Sequence, residues 1–558
     1  MATDMAMDMG RNMKLDRTST SQYCRWLLVT TSICSAQLHA QSPSPEASLP
    51  SSAMQPGFLS QGNLGGGDGR AFSIKPRLSL SETWSDNVSL ARINGTKDSG
   101  FITEVAPGVQ IDARTARLKG YFDYTLRGQF YTTPSGYSRT QNQLNTFGTL
   151  EAVSNWLYLD FSGIIAQQSI SAFGTQSPSS ANLNSNATET SSYRLSPYIR
   201  GQLAGLAEYI VRYNYSTTQT SVSNTSDIDI SEWTGQLRGS TPFQSLRWSL
   251  DASQQTADYS RGRQTDSERL SASATYTVIP QLRLTLSGGQ EANNFASAEK
   301  ENHTTHGYGF DWNPTERTQI SGFKERRFFG DGHRYTFSHR FPLSTISFSD
   351  SKDVSVLPNQ FATVGRGTVF DQWKQLFSQL LASQYPNPVQ LDIEATKLAN
   401  AFLSAFGIPG NTQATSSFLT SRATIQRRQQ LTLAMQGARN TLTVMFNRNE
   451  NQTILANDTV SDDFSINNTN SIKQRGVIVN FSHQLTGESN ATLMASRQES
   501  IGAGTTIQKV TTTMYQGSLM SKLGPRTSGS ISVRHTKFDT PTNPYTENAL
   551  IGTISFIY

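Results

Sequence analysis

Two histidine pairs are the first places to look for chemistry. His303 and His306 are spaced i, i+3, a spacing that binds metal from one helix face. They fall instead where a loop or strand start is predicted, with no carboxylate pair nearby. His333 and His339 lie six apart on one short predicted strand, so they share a face, but that spacing alone makes no ligand set. The chain has no G-x-S-x-G, no phosphate-binding G-x-x-x-x-G-K-S/T and no H-E-x-x-H, and Gly365-Arg366-Gly367 reads as a turn. No catalytic, metal or cofactor residue is assigned, and a hydrolase ranks last among the functions considered. The doublets Arg326-Arg327 and Arg427-Arg428 are the densest basic spots. Neighbours on a strand point to opposite faces, so each doublet is expected to split. The net charge of +5 is dispersed, with no run that would serve as a nucleic-acid arm.

The remaining charges of interest recur on one side of a two-residue alternation. Asp123, Arg127, Asp160, Glu208, Arg212, Arg247, Asp251 and Arg283 take turns along the chain with apolar or aromatic residues. Phe122, Tyr124, Leu126 and Phe130 share one face of a strand; Tyr209, Val211, Tyr213 and Tyr215 share another; Leu246, Trp248 and Leu250 a third. Charged residues make up only 16% of the chain, below the roughly 25% of ordinary globular proteins, with Ser, Thr, Asn and Gln supplying the polarity. A Ser/Thr-rich secreted solenoid shares this composition. Three features favour a transmembrane barrel: strands of ten or more residues, connections that alternate short and long, and a last strand with an aromatic end. The tight connections are predicted at Ser154-Asn155, Ala204-Gly205, Ile279-Pro280-Gln281, Asn313-Pro314-Thr315, Gly437-Ala438 and Gly524-Pro525. The long ones are predicted at 170–190, 218–230, 260–267, 294–304 and 453–470.

The predicted fold is therefore all-β: a large antiparallel transmembrane β-barrel of about 22 strands over 72–558. An even count places both ends of the strand array on the periplasmic side. Ile554, Phe556 and Tyr558 share a face and read as the C-terminal recognition signal of outer-membrane barrels. The eight alternating charges are candidate lumen-lining residues. Solvation of the wall, without selection of a solute, is the simpler role for them.

Residues 1–40 read as a signal peptide. Arg11, Lys14, Arg17 and Arg25 precede the short apolar run from Trp26 to Val29, with cleavage after Ala36 or Ala40. Cys24 and Cys34 both lie in that segment, so the mature chain would have no thiol. Residues 41–71 read as a flexible Ser/Pro/Gly-rich periplasmic linker. One stretch, 352–418, breaks the alternation. Phe370, Trp373, Leu376, Phe377 and Leu380 recur at helical spacing, and a second run from Leu391 to Phe406 ends at Gly407 and Pro409. A small extracellular helical insertion is expected there, either an exposed hairpin or a plug.

Five segments carry a family resemblance: SETWSDNV (Ser81 to Val88), DSGFITEVAPGV (Asp98 to Val109), SAFGTQ (Ser171 to Gln176), YRLSPYIRG (Tyr193 to Gly201) and GARNTLTV (Gly437 to Val444). Together they resemble the outer-membrane β-barrel proteins associated with the PEP-CTERM/exosortase system. The resemblance implies a Gram-negative outer-membrane location and a role in exporting extracellular polysaccharide or surface-sorted protein, with no active residue to transfer. The alternative is a non-conducting surface platform that binds polysaccharide or protein through the insertion and loop 170–190. The expected partners are outer-membrane lipid and lipopolysaccharide, the barrel-assembly machinery, polysaccharide and periplasmic export proteins.

Overall fold

The computed structural model describes residues 71–356 except 223 and 224, positions 374, 395, 396 and 399, and residues 418–420, 422–455, 462–466, 469–504 and 508–558. The alternating segments all become strands, because one apolar and one polar face per segment suits a sheet with different surroundings on its two sides. The first eight are β1 (Phe72–Ser85), β2 (Gly100–Arg114), β3 (Leu118–Tyr131), β4 (Ser138–Val153), β5 (Leu157–Ser169), β6 (Ala187–Leu203), β7 (Ala207–Thr220) and β8 (Ile228–Ser240). Next come β9 (Leu246–Tyr259), β10 (Thr265–Ile279), β11 (Leu282–Asn293), β12 (Glu301–Thr315), β13 (Thr318–Arg327), β14 (Gly330–Arg340) and β15 (Ser344–Ser355). The rest are β16 (Thr424–Gln436), β17 (Asn440–Thr453), β18 (Thr469–Gln484), β19 (Ser489–Gly504), β20 (Gln508–Gly524), β21 (Thr527–Asp539) and β22 (Tyr545–Ile557). A single helical turn, α1 (Asp463–Ile466), precedes β18.

Each strand pairs antiparallel with its successor, and β1 pairs with β22 from Arg77↔Ile557 to Ser85↔Ala549. The 22-stranded sheet thus closes and has no free edge. Hydrocarbon offers no partner for backbone N–H and C=O groups, so only a closed sheet can cross it. Leu80, Phe130, Leu286, Tyr308, Leu493, Ile531 and Leu550 are all exposed on one face of the ring. In water that face would cost about 25 cal/mol for each Å² left uncovered. Facing lipid, it costs nothing. The protein is an integral β-barrel of the Gram-negative outer membrane.

Even-to-odd connections are short, as at 154–156, 204–206 and 437–439, and odd-to-even ones are longer, as at 86–99, 170–186 and 294–300. Ala204 and Gly205 both adopt positive φ, 49° and 71°, the mirror-image turn that matches strand twist. Two predicted connections shift. Asn313 and Pro314 lie inside β12, where the pairing with β13 slips between Trp312 and Thr315, and the chain turns at 316–317 instead. The predicted long loops also lose residues to their strands: 218–230 shrinks to 221–227, because the strands continue above the apolar band.

Residues 1–70 lie outside the described set, and so do the predicted signal peptide and nearly all of the linker. The insertion expected from residue 352 begins later, since β15 runs to Ser355, paired with Thr424 of β16. Apart from a few scattered positions, its two expected helices lie outside the described residues. Ile554 and Phe556 stand opposite Leu80 and Leu78 of β1, and the Tyr558 N–H donates to the Pro76 carbonyl at 2.9 Å.

Candidate functional site at the barrel mouth and inner wall

The polar face is organised by side chains that reach past their neighbouring strand. Arg77 of β1 donates to Asp123 of β3 at 3.0 Å, crossing β2 at Gly108. A Cβ on Gly108 would stand 2.8 Å from the Arg77 Nε and 2.9 Å from the Tyr124 carbonyl, so only glycine leaves the path open. Tyr121 donates its hydroxyl to Asp123 at 2.9 Å. Arg212 of β7 crosses β6 to reach Asp160 of β5 at 2.8 Å, lying over the Tyr198 ring at 4.1 Å. Arg127 donates to Gln143 at 2.8 Å and lies 3.9 Å from Glu104. Asp251 accepts from Ser249 at 3.0 Å and from Gln236. Glu208, Arg247 and Arg283 have no ion-pair partner among the described residues. Each is the second residue of its strand at the short-turn end.

Strand spacing did not reveal several further pairs. Arg269 joins Glu325 at 2.6 Å, and Arg327 donates to Glu291 at 2.9 Å and to Asp353. Both arginine doublets split as their alternation requires: Arg326 pairs with Asp331 while Arg327 takes Glu291, and Arg427 pairs with Asp350 on the opposite face from Arg428. His303 and His306 lie on opposite faces of β12, so they cannot bind one ion together. His333 faces Asp350 at 3.1 Å and His339 contacts Thr318 at 2.8 Å.

The long-loop end holds the densest set of buried polar contacts. The β5–β6 loop, 170–186, lies against the polar face of strands on both sides of the closure. Tyr131 of β3 donates to the Ala181 carbonyl at 2.6 Å, and Gln141 of β4 to the Ser180 carbonyl at 3.0 Å. Asn182 donates to Glu547 of β22 at 2.7 Å, and Tyr545 donates to the Gln176 carbonyl. Phe173 packs against Val510, Phe538 and Tyr545, and also against Phe418, Phe464 and Ile472. A short segment that touches the same face of β3, β4, β22, β20 and β18 fits only within the ring.

The loop keeps its shape through its own side chains. The Asn186 amide donates to the Ser171 and Thr175 carbonyls at 2.9 and 3.1 Å, and a Cβ on Gly174 would come within 2.4 Å of that amide. Its anchor to α1 is Asp463, whose carboxylate accepts from the Ser171 hydroxyl and the Ala172 N–H, both at 2.6 Å. Burial pushes the Asp463 carboxyl up to about 6, against the opposing pull of those donors. Glu547, fully buried, also accepts from Ser85 at 3.0 Å and Arg534 at 3.1 Å. The end of the SETWSDNV segment meets the mouth loop here: Val88 is fully enclosed, and the Leu183 N–H donates to its carbonyl at 3.0 Å.

No family model and no curated protein matches the chain. Solved structures do. The FrpB iron transporter of Neisseria meningitidis (F5-1 variant, apoprotein form) aligns at 8% identity over 87% of this chain and 81% of its own, with a TM-score of 0.46. The siderophore receptor PirA of Acinetobacter baumannii aligns at 7% over 87% and 80%, TM-score 0.44. The outer-membrane transporter YddB of Escherichia coli aligns at 10% over 87% and 81%, TM-score 0.44.

Proposed function

We propose that this protein is a gated conduit through the outer membrane, carrying extracellular polysaccharide or a surface-sorted protein in a PEP-CTERM/exosortase-linked system. The observation that carries the reading is the β5–β6 loop, folded inside the mouth of a closed ring and held by a few replaceable polar anchors. A barrel of this strand number encloses more space than its own side chains fill. Its inner wall would bear the eight lumen candidates Asp123, Arg127, Asp160, Glu208, Arg212, Arg247, Asp251 and Arg283. Hydroxyl, amide and paired-charge groups of that kind offer a hydrated polymer many weak hydrogen bonds and no single deep site. The loop spends its side chains on its own barrel, which favours a gate over a platform for outside partners.

The test is planar-bilayer conductance of the purified protein. Wild type is expected to conduct little, and replacement of residues 173–183 by a short Gly/Ser linker to open it. A lumen that stays sealed in the variant would overturn the conduit. Export genes for polysaccharide beside the coding gene would support the cargo class, and surface polymer that is unchanged in a deletion strain would count against it.

A further inference from the structure

The outward face of the barrel is not uniform around the ring. Past the apolar band on the long-loop side, β16–β20 present Arg427, Arg448, Lys473, Arg475, Arg497 and Lys509. Each shares its face with exposed apolar residues of the same strand: Arg448 with Phe446, Arg475 with Phe481, Arg497 with Leu493. Three carboxylates stand among them. Glu450 lies 3.4 Å from both Arg448 and Lys473, Glu499 lies 3.0 Å from Arg475 and 3.1 Å from Lys509, and Asp350 lies 2.8 Å from Arg427. Carboxylates shared in this way leave the patch positive, and Arg497 has no carboxylate partner among the described residues. At the same level on the other side of the ring, the outward positions of β6 to β10 carry Glu189, Asp229, Asp258, Asp266 and Glu268 and no Lys or Arg.

Arg448 and Arg475 are direct register partners across β17 and β18, and their side chains are 50% and 64% exposed. Like charges placed opposite each other destabilise a strand pair. The arrangement becomes favourable when an anion lies between them, and planar guanidinium groups match phosphate oxygens two at a time. The apolar residues one to three alternations away on the same face fix the depth. The arginines stand where hydrocarbon gives way to headgroups, and there the local dielectric strengthens each pairing relative to bulk water.

We propose that the outward face of β16–β20 on the long-loop side is a binding site for the phosphate groups of an outer-leaflet glycolipid headgroup, centred on Arg448, Arg475 and Arg497. The site seats one lipid against this sector and leaves the acidic sector to uncharged neighbours. It does not depend on what passes through the barrel.

Native mass spectrometry of the full chain in detergent tests it, with diphosphoryl lipid A, dephosphorylated lipid A and inorganic phosphate as probes. Arg448→Gln/Arg475→Gln/Arg497→Gln is expected to weaken diphosphoryl lipid A binding about a hundredfold, at about 1 kcal/mol per headgroup cation. Arg439→Gln/Arg526→Gln removes two charges at the short-turn end and is expected to leave binding unchanged. Should the triple variant lose its heat-modifiable gel shift, Arg497→Gln alone is expected to weaken binding about fivefold. Equal binding by wild type and the folded variant, or by lipid A with and without phosphate, would overturn the site. Displacement of the lipid by millimolar inorganic phosphate would overturn its assignment to a headgroup.

Discussion

At the scale of single residues, the inner wall is held by charges that find partners two strands away. Glu547 accepts from Ser85, Asn182 and Arg534 while fully buried, so it ties β1, β22, β21 and the mouth loop at one point. Removing one member of such a buried pair strands the other; Glu547→Ala is expected to cost about 3 kcal/mol. The measurement is the temperature at which the folded barrel loses its fast gel migration, and an unchanged temperature would show that the network carries no stability. Gly108→Val is expected to act in the same direction, more weakly, by closing the path from Arg77 to Asp123. Alternation alone put Asp123, Asp160 and Arg212 on one face of their strands. It did not reveal Arg77 as the partner of Asp123, because that pairing depends on the register of three strands together. The role of Glu547 was hidden for another reason: one of its three partners, Asn182, comes from a loop distant in sequence, and another, Ser85, from the opposite end of the chain.

Among the elements, the tight turns were the most legible, since Ser-Asn, Ala-Gly and Gly-Ala steps interrupt the alternation cleanly. Ala204 nevertheless holds a positive φ that favours Asn or Gly. Ala204→Asn is expected to raise barrel stability by about 1 kcal/mol, read from the same gel transition. The loop at 170–186 was legible as a long connection, but composition could not say that it turns inward. Polar residues serve equally well facing solvent or facing a polar wall. Asp463 gives the loop a pH dependence with a definite sign. Its carboxyl titrates higher in the closed loop, at about 6, than when free. The contribution to closure is therefore complete below the ordinary carboxylate range and is lost as pH rises through about 6, on the order of 3 kcal/mol. Bilayer conductance should be lower at pH 4 than at pH 8. Asp463→Asn should flatten that difference, and an equal pH response in the variant would remove Asp463 from the gate.

For the whole molecule, closure and location followed from strand length, strand parity and the one-sided distribution of apolar residues, all visible along the sequence. The stretch 352–418 shows the limit of periodicity: helical spacing raises an expectation of helices but not of where they rest, and apart from a few scattered positions those two expected helices lie outside the described residues. Arg247 and Arg283, which have no ion-pair partner among the described residues, should bias a conducting lumen toward anions at the short-turn end. Arg247→Glu/Arg283→Glu is expected to shift the reversal potential toward cation preference in a salt gradient, and no shift would place both outside the current path. The barrel is also uneven in height. β13 has 10 residues and β14 has 11, joined by only two residues, whereas β6 and β20 have 17. Ten tilted residues rise roughly 25 Å, a few Å short of a hydrocarbon core of about 30 Å. A membrane must meet its lowest wall as well as its tallest, so lipid beside the β13–β14 hairpin is drawn thin while lipid beside β6 stands at full depth. The protein will lean toward its low side, and that lean sets which of its loops stand farthest from the cell.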